Sequence, residues 1–168
     1  MAARRDEDRR IFVFMGVSGC GKSTVGRAFA SAIGGVFLDG DDFHPPANIE
    51  KMSNLIPLTD ADRAGWITAL RDAILATEAR HVCVACSALK KVHRAMLRDG
   101  CPSLTFIYLH GSKELLATRV AGRSGHFMPP GLLDSQLADL EPPTDAVRVE
   151  ISSQPAQIVT SLRRKFAL

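Results

Sequence analysis

Aromatic side chains are scarce in this chain. It has one Trp, one Tyr and eight Phe, 6% of its residues. A surface that stacks on nucleic-acid bases needs aromatics set among concentrated basic side chains, and the sequence offers no such grouping. Charge of one sign is also lacking: 21 Lys and Arg are interspersed with 18 Asp and Glu, leaving a net +3. That mild excess suits an anionic small molecule and argues against nucleic acid. No apolar run approaches the roughly 20 residues needed to cross a bilayer, so no membrane partner is expected. Met1 to Arg10 holds four Arg, but also Asp6, Glu7 and Asp8. It lacks the apolar centre of a secretory signal and the acid-poor character of a transit peptide. Residues 1–10 are expected to be a disordered arm, and the location to be cytoplasmic. Cysteines are few as well. Cys83 and Cys86 have C-x-x-C spacing but fall inside the apolar run 82–86, and no second pair follows. Side chains three apart on a strand face opposite ways, so these read as buried thiols rather than a metal site.

What is present is 46% hydrophobic and 23% charged residues, enough for one packed domain over residues 11–168. Within it, Gly16-Val17-Ser18-Gly19-Cys20-Gly21-Lys22-Ser23 matches G-x-x-x-x-G-K-[ST], the phosphate-binding loop. Ile11–Met15 reads as a buried strand before it, and Lys22–Ile33 as a helix after it. The motif needs that strand–loop–helix context. Gly16, Gly19 and Gly21 admit backbone angles that a Cβ forbids, so that successive N–H groups turn inward and form an anion nest at a helix N-terminus. Lys22 is expected at the β- and γ-phosphates, the Ser23 hydroxyl on Mg²⁺, and Thr24 in the same site.

Strand and helix signals alternate along the rest. Strands are expected at 36–39, 82–86, 104–109 and 147–151. Helices are expected from Pro45-Pro46 toward Met52, from Thr59 toward Thr77, over 90–98, from Ser112 to about Arg123, from Pro129-Pro130 toward Leu140, and over 155–166. Thr59-Asp60-Ala61-Asp62 reads as a capping box. The pattern predicts an α/β fold: a parallel sheet with helices on both faces. Ligands bind beyond the carboxyl ends of such strands, here at Gly16, Asp39, Ser87 and His110.

Candidate residues lie at that rim. Asp39-Gly40-Asp41-Asp42-Phe43-His44 brings three carboxylates and a His to one strand end. Phosphoryl transfer needs a carboxylate near the accepting hydroxyl and another near the metal, although Asp residues also cap polar turns. Lys90 and Arg94 are four apart on one helix face and can grip a carboxylate, or form a solvated basic start. Positive charge there opposes the helix dipole, which favours the functional reading. Arg119 and Arg123 precede the Gly125–Pro130 break and suggest a lid over about 119–140, or are simply cations at a helix end. Arg63 either binds substrate or pairs with an acid. Gln154 and Pro155 sit beside an adenine if the base lies over the phosphate loop, and equally serve as a helix cap.

Assembled, these segments resemble the gluconate kinases among the small P-loop kinases, with an adenylate-kinase-like core. The likeness rests on MGVSGCGKST (15–24), DGDDFHP (39–45), PLTDADRAGW (57–66), ACSALKKVHR (85–94) and GHFMPPGLLDSQLADLEPP (125–143). The resemblance implies ATP- and Mg²⁺-dependent phosphorylation of D-gluconate at its 6-hydroxyl, feeding the pentose phosphate pathway, by a homodimer. It implies Asp41 as base and Asp39 toward Mg²⁺-bound water. It implies His44, Arg63, Lys90, Arg94 and His126 toward gluconate, and Arg119 and Arg123 toward ATP. Shikimate kinase and a nucleotide-binding module without catalysis are the competing readings. The segment 87–94 argues against the first, and the retention of Lys22, Ser23, Asp39 and Asp41 together against the second. Cys20 stands where the family usually shows Ser. Beside Lys22 and a helix N-terminus, its thiol is expected to be acidified, making the protein sensitive to thiol reagents, with protection by ATP. No strand end carries the hydrophobic-Asp metal signature of many P-loop ATPases, so the metal is expected to rely on Ser23, phosphates, waters and Asp39.

Overall fold

Residues alternate sharply in strand β1 (Arg10–Met15): Ile11, Val13 and Met15 enter one apolar core, while Phe12 and Phe14 enter another. Both faces of β1 are buried because it is the middle strand of five. The computed structural model describes residues 8–122 and 131–168. After β1 come α1 (Lys22–Ile33), β2 (Val36–Asp39), a 3₁₀ turn (Gly40–Phe43), α2 (Pro46–Ser53), α3 (Asp60–Ala76) and β3 (His81–Ala85). Then follow α4 (Lys91–Arg98), β4 (Leu104–His110), α5 (Lys113–Ala121), α6 (Leu132–Asp139), β5 (Val147–Glu150) and α7 (Pro155–Phe166). The sheet order is β2-β3-β1-β4-β5, and every neighbouring pair is parallel. All five carboxyl ends therefore open on one edge, as expected for a doubly covered α/β sheet.

Helices cover both faces. Trp66, Ile67, Leu70 and Ile74 of α3 and Leu97 of α4 join Ile11, Val13 and Met15. Val25 and Phe29 of α1 and Ile158 and Leu162 of α7 join Phe12 and Phe14. Phe12 and Phe29 meet edge-on with ring centroids 5.2 Å apart, a preferred aromatic geometry. Cys83 lies in this second core and Cys86 in the first, so the C-x-x-C pair straddles the sheet. Burial pushes both thiols up to about 12. They stay protonated and inert, as the strand reading requires.

Local signals set the helix ends. Thr59 Oγ1 accepts from the Asp62 amide and Asp62 returns a bond to the Thr59 amide, forming the expected capping box. Ser112 accepts from the Leu115 amide at the start of α5. The helix predicted from Pro129-Pro130 begins at Leu132, with Gly131 in left-handed conformation as its N-cap; positions 129 and 130 lie outside the described residues. At the N-terminus the boundary needs correcting. β1 starts at Arg10, and Arg9 donates to the carbonyls of Ile74 and Thr77 at 2.6 and 3.0 Å. Arg10 lies over the rings of Phe12 and Phe166. Two arginines assigned to the arm are thus bound to the fold.

The turn that follows β2 is placed by close packing. A Cβ on Gly40 would lie 2.4 Å from the Ala85 carbonyl oxygen, so only glycine lets this chain pass β3. The Gly40 carbonyl accepts from the indole N–H of Trp66 at 2.7 Å, a buried bond that ties the Asp39–His44 segment to α3. Trp66→Phe deletes that donor, and the expected cost is about 1–3 kcal/mol. Urea unfolding measures it, and a variant as stable as the parent would show that the turn does not depend on the indole.

Candidate active site

The phosphate loop is anchored to the neighbouring strands. The Gly16 amide donates to the Ser87 carbonyl at 3.2 Å. Its φ is +145°, and a Cβ there would lie 2.5 Å from the Leu109 carbonyl oxygen. The loop closes on Gly21 in left-handed conformation, from which α1 starts without a side-chain cap. Its first-turn N–H groups are therefore left for an anion. Lys22 Nζ rests on the Val17 carbonyl at 3.1 Å, and the Ser18 amide donates to Gln136 Oε1 at 2.7 Å. Cys20 Sγ is 3.9 Å from Lys22 Nζ, but the residue is 0% exposed within the Phe12 core. The expected reactivity toward thiol reagents needs correcting on this point. Proximity to Lys22 holds, but the thiol faces inward and has no reagent-accessible surface. Thr24 is exposed.

A chain of hydrogen bonds leads away from the loop. Ser23 Oγ donates to Asp39 Oδ2 at 3.0 Å, and Asp39 Oδ1 accepts from the Asp41 amide at 3.1 Å. Asp39 thereby caps the 3₁₀ turn and holds Asp41, whose side chain is exposed. His44 stacks on Trp66 with centroids 4.2 Å apart and planes 18° from parallel. Its Nδ1 lies 3.3 Å from the Asn48 side-chain nitrogen. Burial lowers its pKa from the ordinary 6.5, against an upward pull from Asp41.

The acceptor-side cations separate into two groups. Lys90 Nζ lies 2.8 Å from Asp60 Oδ1, and Arg63 lies 3.7 Å from the same oxygen and 3.3 Å from Asp139. Lys90 and Arg63 thus converge on one surface. The hydrogen bond to Lys90 lowers the Asp60 pKa, and the same bond raises that of Lys90. Arg94 departs from expectation. It is 5% exposed, and its guanidinium donates to the carbonyls of Ala88, Leu89 and Glu141 at 2.8, 2.9 and 2.8 Å. A group so occupied holds the loop and does not face a ligand. That loop needs holding, because Ala88 sits at φ +43°, a region costly for a residue with a Cβ. The unfavourable charge at the start of α4 is answered from elsewhere in the chain. Glu141 accepts from the Lys91 amide at 2.5 Å, supplying the cap that Lys90 does not.

Beyond the end of β5, Arg119 donates to the Ile151 carbonyl at 2.6 Å. Gln154 and Gln157 form a capping box at the start of α7, with Pro155 in its first turn. Arg123 and His126 lie outside the described residues. Asn48, Gln136, Asp139 and Glu141 were not singled out in the sequence. Their long-range partners lie 14 to 118 positions away, and no local pattern marks them, except that Gln136, Asp139 and Glu141 fall in the segment 125–143.

A glycine-rich phosphate loop with its Lys22 and Ser23, a carboxylate at the next strand end and a neighbouring pair of cations define a P-loop kinase acting on a small metabolite. The shikimate kinase family model matches residues 18–139. The gluconokinase of Gluconobacter oxydans is 45% identical over 162 residues, 94% of this chain and 91% of that protein. The thermosensitive gluconokinase of Escherichia coli is 42% identical over 159 residues, 91% of this chain and 85% of that one. A crystal structure of a gluconokinase from Sinorhizobium meliloti superposes with a TM-score of 0.85 at 46% identity, covering 94% of this chain and 91% of that one. The chain belongs to the gluconokinase family, within the broader shikimate kinase group.

The site has a pH signature. Burial lowers the pKa values of both His44 and His93 from 6.5. Their neutral forms are favoured in the folded chain, whereas the unfolded chain takes up protons near pH 6.5. Stability is therefore expected to fall as pH drops below about 6.5, the ordinary value. Urea midpoints at pH 7.5 and 5.5 test this, with a smaller difference expected in His93→Gln. An unchanged difference would remove His93 from the effect.

Proposed function

We propose that this chain transfers the γ-phosphoryl group of ATP to the 6-hydroxyl of D-gluconate, giving 6-phospho-D-gluconate and ADP, a product for the pentose phosphate pathway. The observation that carries the reading is the Ser23–Asp39–Asp41 chain of hydrogen bonds, which joins the phosphate loop to an exposed carboxylate. Lys90 and Arg63 supply charge for the acceptor's carboxylate on the adjacent surface.

The loop amides and Lys22 hold the β- and γ-phosphates. A hydroxyl and a carboxylate 3.0 Å apart are hard oxygen donors that suit Mg²⁺. Ser23 would hold the ion directly and Asp39 through water. When bound, the ion would supply positive charge to offset that of the phosphates. Asp41 accepts the proton of the 6-hydroxyl as that oxygen bonds to the γ-phosphorus and the bond to the β,γ-bridging oxygen breaks. His44, held neutral on Trp66, contributes hydrogen bonds to the polyol rather than charge. Arg94 positions the Ala88–Leu89 backbone beside the acceptor. Arg119 serves ATP, and the roles of Arg123 and His126 rest on the family resemblance.

An ADP-release assay with Mg-ATP and D-gluconate, shikimate, AMP or water as acceptor tests the substrate. Turnover with gluconate alone is expected. Turnover with shikimate would discard the pocket, and ATP binding without any turnover would favour a binding module. Asp41→Asn is expected to lower kcat by about 10²- to 10⁴-fold while ATP affinity holds. Near-normal turnover would remove Asp41 from the role of base.

The homodimer and the cytoplasmic location are proposed on the same resemblance. Among the described residues no helix is long and apolar enough to cross a membrane. Ile49, Met52, Leu55 and Ile56 form an exposed apolar group around the end of α2 that suits coverage by a second copy. Light scattering is expected to give about twice the 18.2 kDa chain mass, and a monomer mass at high concentration would exclude the dimer.

A further inference from the structure

Gln136 occupies a backbone donor of the phosphate loop. Its Oε1 accepts from the Ser18 amide at 2.7 Å, across 118 positions of sequence. Ser18 is part of the phosphate-loop motif 16–23, and a phosphate oxygen makes a stronger, charge-assisted bond to a loop amide than a neutral carboxamide does. A phosphate oxygen that takes this amide displaces Gln136 from it.

Three residues along the same helix, Asp139 contacts Arg63 at 3.3 Å. Positions three apart share a helix face, so one face of α6 touches the phosphate loop and an acceptor-side cation together. No residue of α6 is fully buried. Leu133 and Leu137 pack only partly against the Phe12 core, and Lys113 pairs with Asp134 between exposed side chains at 2.7 Å. A helix held this way costs little to shift. Just beyond it, Glu141 bonds the start of α4 and Arg94, which fixes the far end of the segment.

We propose that Gln136 stands in for nucleotide phosphate, and that α6 thereby couples nucleotide binding to acceptor binding; the coupling half rests on ATP and gluconate being the two ligands. Nucleotide displaces Gln136, α6 moves, and Asp139 withdraws from Arg63, freeing it for gluconate. In the reverse direction, the gluconate carboxylate replaces Asp139 on Arg63, which loosens α6 and frees the Ser18 amide. Each ligand bears part of the work of moving the helix, so each tightens the other by the same factor.

Calorimetric titration of the full chain with a non-hydrolysable β,γ-imido ATP analogue and Mg²⁺, with and without D-gluconate, tests the proposal. In the parent, gluconate is expected to tighten the analogue at least about fivefold, the lower end of ordinary coupling. Gln136→Ala removes the competitor, so it is expected to bind the analogue more tightly than the parent and to lose most of the coupling. Gln136→Glu keeps the shape but adds charge on the amide, so it is expected to bind the analogue more weakly. Asp139→Asn is expected to strengthen gluconate binding when nucleotide is absent. Weaker analogue binding by Gln136→Ala would make Gln136 a nucleotide ligand and overturn the proposal. Unchanged coupling in Gln136→Ala would overturn the linkage through α6. Gluconate that fails to bind the parent overturns the substrate reading instead, and the analogue affinities alone then decide the role of Gln136.

Discussion

The turn at Gly16 is the constraint on which the site depends. At that residue the chain leaves β1 between two strand ends, bonded to the Ser87 carbonyl on one side and pressed against the Leu109 carbonyl on the other. No side chain fits there. The phosphate loop is consequently registered against β3 and β4 by backbone contacts alone, and everything placed by the ends of those strands is registered to the loop. Parallel pairing through the whole sheet brings Asp39, Ser87 and His110 to the same edge. Function here grows out of strand direction before any catalytic side chain is considered.

Much of this was legible in the sequence because it is local. The phosphate loop, the Thr59–Asp62 capping box, the Lys22–Ile33 helix and the opposite-facing cysteines are each set by contacts within a few residues. Alternation of strand and helix signals then leaves few topologies to choose from. Arg94 shows where such reasoning stops. Four-residue spacing places Lys90 and Arg94 on one side of the helix start, but spacing does not say which way that side turns. In the fold Lys90 reaches the surface and Arg94 turns under the loop, because buried carbonyls at Ala88 and Leu89 need donors.

Charge reasoning at the same helix was half complete. Cations in a first turn do oppose the dipole, and ligand binding is one way to offset that. The fold uses another, bringing the Glu141 carboxylate to the Lys91 amide across 50 positions. Gln136, Asp139 and Asn48 were missed for the same reason: each acts through a distant partner, and the residue types alone are ordinary. Cys20 is the converse. Its neighbours were foreseen correctly, but its burial depends on how the loop folds over the sheet.

Trp66 is a core residue, yet its polar edge and its ring face serve the acceptor segment through Gly40 and His44. It is also the only tryptophan in the chain. The molecule therefore carries a single indole fluorophore, mounted beneath the carboxylate-bearing turn and in contact with an imidazole. Its emission reports on that turn without interference from any other indole, so the packing that shapes the acceptor side also gives the protein an optical gauge of it.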